Sequence, residues 1–183
     1  MTLSMTMGMT IGVRRTMWMM LGELVGVGLV ATLAVIGAAA MMLNYPSVFT
    51  VFKYIGGAYL SYLGYQMWCS RGKMAIPSDI ESQPLVKRSA LVSQGFITAI
   101  ANPKGWAFFI SLLPPFINPD KEMPTQLLLL ISLILLIEFF CLLGYASGGQ
   151  TLRRFLMKSG NVRLMNRIAG TLMMGVGVWL AFG

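Results

Sequence analysis

Long apolar stretches separated by short basic or polar segments dominate this sequence of 183 residues. Only 11% of the residues are charged and 56% are hydrophobic, whereas a soluble domain usually carries about 25% charged residues. A membrane-spanning helix needs roughly 20 predominantly apolar residues. The pattern therefore predicts an all-α, polytopic membrane helix bundle that forms one domain, 1–183. We expect five full transmembrane helices, at residues 17–43, 49–68, 89–117, 125–149 and 168–182.

The basic residues predict how this bundle lies in the membrane. The net charge is +8, but the charges occur in short clusters between apolar runs, so we expect contact with anionic lipid headgroups and no nucleic-acid partner. If Arg14 and Arg15 are cytoplasmic, eleven basic residues fall on that side, and only Lys53 and Lys121 fall outside. The positive-inside rule then predicts this orientation and supports the assigned spans. We expect a multi-pass protein of the bacterial inner (plasma) membrane.

Sequence motifs of enzymes and metal sites are absent. The chain has no histidine, and Cys69 and Cys141 show no metal-ligand spacing, so we expect no metal, no cofactor and no disulfide framework. It also lacks a nucleotide-binding loop, a zinc-protease motif and a nucleophile elbow. These observations predict a protein that is not an enzyme.

Two parts of the chain resemble each other. Ile55-Gly-Gly57, then six residues and Gly64, matches Ile168-Ala-Gly170, then six residues and Gly177. The match predicts two inverted three-helix repeats, at 1–69 and 89–183, joined by a cytoplasmic loop at 70–88. The alternative reading of the four glycines is close helix packing, which is common in membranes and is also compatible with a homodimer.

The first repeat is incomplete in this reading. Residues 1–12 are uncharged and precede the basic pair Arg14-Arg15, so they are expected to be the end of a helix that is too short to span a membrane. A late-placed start or a truncated gene would both give this pattern, and truncation would make transport doubtful.

Three charged residues within the apolar stretches are the candidate site residues, because a charge at the bilayer centre costs at least about 2.5–3.5 kcal/mol. Lys104 follows Asn102-Pro103, where proline interrupts the helix and frees backbone groups. Such a break beside a cation suits a substrate carboxylate. Glu138, and less clearly Glu23, would take the substrate amine or a coupling proton. The alternative is that Lys104 only neutralises one of these acids.

Three sequence segments suggest a family. They are Phe-Lys-Tyr-Ile-Gly-Gly-Ala-Tyr-Leu-Ser-Tyr-Leu-Gly-Tyr-Gln-Met at 52–67, Ala-Asn-Pro-Lys-Gly-Trp-Ala-Phe-Phe at 101–109, and Arg-Ile-Ala-Gly at 167–170. With them the chain resembles, over essentially its whole length, the LysE/RhtB family of amino-acid exporters. Family members usually have six helices and a Pro-Gly-Pro motif in the first, and this sequence departs from the pattern there.

The resemblance implies export of amino acids or close derivatives, driven by proton antiport. Two alternatives stay open: export of metal ions or other small solutes, and an inactive, truncated membrane protein. The sequence indicates neither the exported amino acid nor the oligomeric state.

Overall fold

The computed structural model describes residues 2–70, 87–118, 121–148, 155 and 159–182. Within them the chain forms α-helices and one 3₁₀ turn. The elements in order are α1 (Thr2–Thr10), α2 (Val13–Asn44), α3 (Pro46–Trp68), α4 (Arg88–Ile100), α5 (Pro103–Leu112), a 3₁₀ turn (Pro114–Phe116), α6 (Met123–Ser147) and α7 (Ser159–Phe182). The predicted all-helical class is therefore confirmed for the described residues.

Proline and glycine mark the breaks between these helices. Gly12 separates α1 from α2 with a φ of 81°, a conformation that costs glycine little because it has no Cβ. Pro46 and Pro103 open α3 and α5, where the missing N–H leaves no helical bond unmade. The long helices thus begin where the sequence supplies a residue that starts or interrupts a helix.

Two helix pairs make the most extensive contacts in the bundle, α2 with α4 and α3 with α7. The helices of the first pair run parallel and those of the second run antiparallel. Glycines make both contacts close. The backbone of α4 at Val92 lies directly on Gly22, and the backbone of α2 at Met19 lies directly on Gly95. Such small-residue contacts let helix backbones approach closely in membranes.

The outer surface of the bundle is strongly apolar. Three helices are long and apolar enough to cross a membrane, α2, α6 and α7, and the bent pair of α4 with α5 and the 3₁₀ turn makes a fourth candidate. Only 6% of the residues in the most apolar 18-residue stretch of α6 are buried. Leu128 and Leu129 in this helix are 71% and 70% exposed. These faces suit lipid rather than water, as expected for a multi-pass membrane protein.

The structure changes some predicted helix boundaries. α7 begins at Ser159, nine residues before the predicted start of the last span at 168. Its first turns place Arg163 and Arg167 at exposed positions, so the basic residues are accommodated within a continuous helix. α3 is not among the spanning candidates; its four tyrosines, Lys53 and Gln66 lower its apolarity. Most of the predicted loop at 70–88 lies outside the described residues.

Candidate functional site

The helix break at Asn102-Pro103 is the local feature around which the site is built. α4 ends at Ile100, Asn102 is extended, and the segment beyond is bent by 56° relative to α4. The backbone carbonyl of Asn102 accepts hydrogen bonds from the N–H groups of Gly105 (3.1 Å) and Trp106 (3.3 Å). The break therefore starts a new helix directly, with Lys104 in its first turn.

Trp106 stabilises this break by a contact that sequence reasoning did not predict. Its indole Nε1 donates a 2.8 Å hydrogen bond to the carbonyl oxygen of Ile100. In an unbroken helix that carbonyl would accept from the N–H of residue 104. The sequence offered one signal for this contact, a tryptophan, whose indole N–H is a hydrogen-bond donor, three residues after Pro103. Trp106 thus caps the end of α4 and fixes α5 against it.

A cavity of about 580 Å³ opens beside the break and brings the predicted charged residues together. Asn102 and Lys104 line it, and both are exposed to its space. Glu23 lines it from α2, where the residue is 8% exposed, and half-buried Glu138 lines it from α6. Pro103 shapes the break and is not among the lining residues.

The two acids face one space from different helices. Glu23 faces it from α2 and Glu138 from α6. Because like charges repel, a proton or an ammonium group placed between them would relieve that repulsion. Among the described residues, the cavity therefore combines a lysine at a helix break with two acids.

The remaining lining separates into a polar end and an apolar wall. At the polar end, the Asn166 side-chain amide donates to the Ser70 hydroxyl at 3.1 Å, which links the end of α3 to α7. The sequence had not marked either residue as functional. The other neutral polar lining residues are Gln66 and Thr98, and the wall is formed by Val27, Val30, Leu63, Met67, Ala99, Gly105, Phe108, Phe109 and Met173.

An apolar cluster lies past the far end of this wall. Ala31 and Val35 of α2 pack against Leu113 and Ile117 beyond α5, and each of the four is at most 6% exposed. Phe109 lines the cavity and also packs against the cluster. The cluster thus separates the cavity from the end of the bundle where α2 ends and α3 begins.

The four glycines of the sequence match meet one another in two pairs between α3 and α7. A Cβ placed on Gly57 would lie 2.5 Å from the carbonyl oxygen of Gly177, and one on Gly64 would lie 2.6 Å from that of Gly170. The two contacts are equivalent under the sequence repeat. If each glycine is replaced by its match in the other helix, the pair Gly57–Gly177 becomes the pair Gly170–Gly64. Neither crossing leaves room for a side chain.

Comparison with known proteins points to one family. The family model described as LysE type translocator matches residues 1–183. The chain is 28% identical to an uncharacterized membrane protein of Vibrio cholerae over 178 residues, which covers 97% of this chain and 85% of the relative. No solved structure matches the chain significantly.

Two further relatives carry functional names. The homoserine/homoserine lactone efflux protein of Salmonella typhimurium is 26% identical, over 97% of this chain and 85% of its own length. The leucine efflux protein of Klebsiella pneumoniae is 25% identical, over 95% of this chain and 82% of its own length. Members of the family are transporters and not enzymes. This chain belongs to the LysE family of translocators.

Proposed function

We propose that this protein exports amino acids or close derivatives across the bacterial inner membrane in exchange for protons. The observation that carries the proposal is the single cavity into which Lys104, Asn102, Glu23 and Glu138 all project from three separate parts of the chain. Two relatives are named for the efflux of homoserine or homoserine lactone and of leucine, which are amino acids or a close derivative.

The cavity offers complementary partners for each part of a zwitterion. Lys104 lies in the first turn of α5, where the helix dipole adds positive potential, so this end takes the substrate carboxylate. Glu138 and Glu23 take the substrate amine. The apolar wall accommodates a short side chain.

Proton exchange follows from the same pair of acids. The amine and a proton compete for the negative charge of Glu138 and Glu23, so protonation from outside releases the amine. Loss of that proton to the cytoplasm then prepares the site for the next substrate. This competition couples the outward movement of substrate to the inward movement of protons without any further group.

The architecture that we propose for this activity has five full spans and two inverted repeats. The reciprocal pairing of Gly57 with Gly177 and of Gly64 with Gly170 supports it, because two-fold exchange of repeats produces such contacts. α3 serves as the span of the first repeat that packs on α7, and the end of the bundle with Ser70 and Asn166 is cytoplasmic.

Purified protein in liposomes tests the proposal. Vesicles are loaded with labelled homoserine or leucine and an outward substrate gradient is imposed, with and without a pH gradient. Lys104→Gln should reduce transport by at least about tenfold, which corresponds to roughly 1.4 kcal/mol. Lys121→Gln, which removes an exposed cation that lines neither this cavity nor the smaller one described below, is the matched control and should transport normally.

Three outcomes would contradict the proposal. Normal transport by Lys104→Gln would remove the assigned carboxylate site. A transport rate that does not depend on the pH gradient would contradict the proposed proton coupling. An absence of transport across a full amino-acid panel, with folded protein in the vesicles, would favour another solute or an inactive chain.

A further inference from the structure

A second cavity, of about 290 Å³, lies at the opposite end of the α3–α7 pair. Lys53 and Phe49 line it from the first turns of α3, and Trp179 and Leu180 line it from the last turns of α7. The first cavity is lined instead by the end of α3 and the beginning of α7. The two spaces therefore lie at opposite ends of one antiparallel helix pair.

Three residues that line each cavity occupy matched positions of the sequence repeat. Gly57 and Gly170 are 113 positions apart, as are Gly64 and Gly177. At the same spacing Lys53 matches Asn166, and Trp179 and Leu180 match Gln66 and Met67. Asn166, Gln66 and Met67 line the first cavity, whereas their three counterparts line the second.

The apolar cluster described above lies between the cavities. Along α2, Val30 lines the first cavity, Ala31 and Val35 belong to the cluster, and Met42 lines the second cavity. Ile117 belongs to the cluster and also lines the second cavity. A solute that moved from one cavity to the other would pass this cluster, so the second cavity lies where an exported solute would emerge.

The chemistry of the second cavity differs from that of the first in one respect. Lys53 brings a half-buried cation to the position at which the first cavity has the neutral amide of Asn166. The remaining wall is apolar, formed by Phe49, Trp179 and Leu180 with prolines 114 and 115 and two further apolar residues. A cation in an apolar wall attracts a small anion more strongly than one in open water.

We infer that the second cavity is an exit subsite in which Lys53 binds the carboxylate of the amino acid after it leaves Lys104. The inference rests on the proposed export function and extends it to the outer side of the membrane. The substrate class is a small α-amino carboxylate, and the amine is not needed for this contact because no described residue that lines the second cavity is an acid.

Cysteine labelling from outside tests the inference directly. In a Cys69→Ser, Cys141→Ser background, Phe49→Cys places a thiol one helical turn from Lys53. The protein is reconstituted in vesicles of net-neutral lipid and treated with membrane-impermeant thiosulfonates, one anionic and one cationic. The anionic reagent should be favoured by about tenfold, as expected for a local charge of this kind. Lys53→Gln should abolish that preference, and Lys121→Gln should keep it.

Protection by substrate identifies the ligand. External homoserine or leucine should slow the labelling of Phe49→Cys, the corresponding amines without a carboxylate should not, and Lys53→Gln should remove the protection. Trp179→Cys provides a second reporter if Phe49→Cys does not fold. Protection by anionic lipid vesicles alone, with none by amino acid, would show that Lys53 binds headgroups and would overturn the inference.

Transport measured in the same vesicles separates the two proposals. Transport without substrate protection at the second cavity would overturn the exit subsite and leave export intact. Protection without any transport would overturn the export function, while the carboxylate site at Lys53 would stand as a binding site.

Discussion

The indole nitrogen of Trp106 lies 2.8 Å from the carbonyl oxygen of Ile100 and donates a hydrogen bond to it across the helix break. This bond takes the place of the one that the Ile100 carbonyl would accept from the N–H of residue 104 in an unbroken helix. It fixes the angle between α4 and α5, and with it the position of Lys104 relative to the two acids. The contact leads to the first prediction.

Trp106→Phe should weaken substrate binding while the protein stays folded. Loss of a hydrogen bond of this kind costs about 0.5–1.5 kcal/mol, so the transport KM should rise about two- to tenfold. Trp106→His, which retains a ring N–H, should restore part of the affinity. The control is Trp18→Phe, since Trp18 lines neither of the two transport cavities. An unchanged KM in Trp106→Phe would show that the bond does not position Lys104.

Glu138→Gln should remove the dependence of transport on the pH gradient. The amide has nearly the same shape as the carboxyl but carries no exchangeable acidic proton. The measurement compares two rates, that of substrate-for-substrate exchange and that of net export. We expect exchange to persist, while proton-driven net export falls by at least about tenfold. Glu122→Gln, at an exposed position outside both cavities, is the control. If Glu23→Gln alone has this effect, Glu23 carries the proton instead.

Gly170→Ala should destabilise the protein, whereas Gly175→Ala on the same helix should not. A methyl group on Gly170 would press on the backbone of Gly64 and Trp68, but nothing lies within 4 Å of the Cβ position of Gly175. Overpacking typically costs about 1–3 kcal/mol, and alanine in an open helical position gains up to about 1 kcal/mol over glycine. The measurement is the melting temperature of each variant and of the unsubstituted protein, from thermal denaturation in detergent. Equal melting temperatures would contradict the close crossing.

Ser4→Ala should stabilise the protein. In the part of the chain that the structure describes, the Ser4 hydroxyl is buried without a hydrogen-bond partner, a situation that costs about 1–3 kcal/mol. Thr16→Val provides the contrast, because the Thr16 hydroxyl donates a 3.0 Å bond to the carbonyl of Gly12 and its loss should destabilise. A lower melting temperature for Ser4→Ala would mean that its hydroxyl is satisfied in the membrane.

Local signals in the sequence predicted most of the helices and the break. Proline at 46 and 103 and the polar residues around them mark helix starts whatever the tertiary structure. The start of α7 was missed because Arg163 and Arg167 resemble loop charges. In the structure the Arg167 guanidinium lies 4.9 Å from the ring centre of Trp68, a contact that local sequence does not reveal.

The full set of residues that lines the cavity could be identified only from the structure. The charged residues Glu23, Lys104 and Glu138 could be selected because a charge is costly in an apolar stretch. Neutral residues such as Ser70 and Asn166 carry no such signal, and their hydrogen bond joins positions 96 residues apart. Likewise, the repeat indicated that Gly57 corresponds to Gly170 and Gly64 to Gly177. Only the structure shows that Gly57 contacts Gly177 and that Gly64 contacts Gly170.

The glycine crossing has a consequence for how the protein is made. α3 has polar side chains and a groove at Gly57 and Gly64 that α7 fills, yet its partner glycines lie more than 100 residues later in the chain. At synthesis rates of about 5–20 residues per second, that separation corresponds to roughly 5–20 seconds. During this interval Gly57 and Gly64 have no α7 to pack against, so we expect α3 to reach its native contacts only late in biosynthesis.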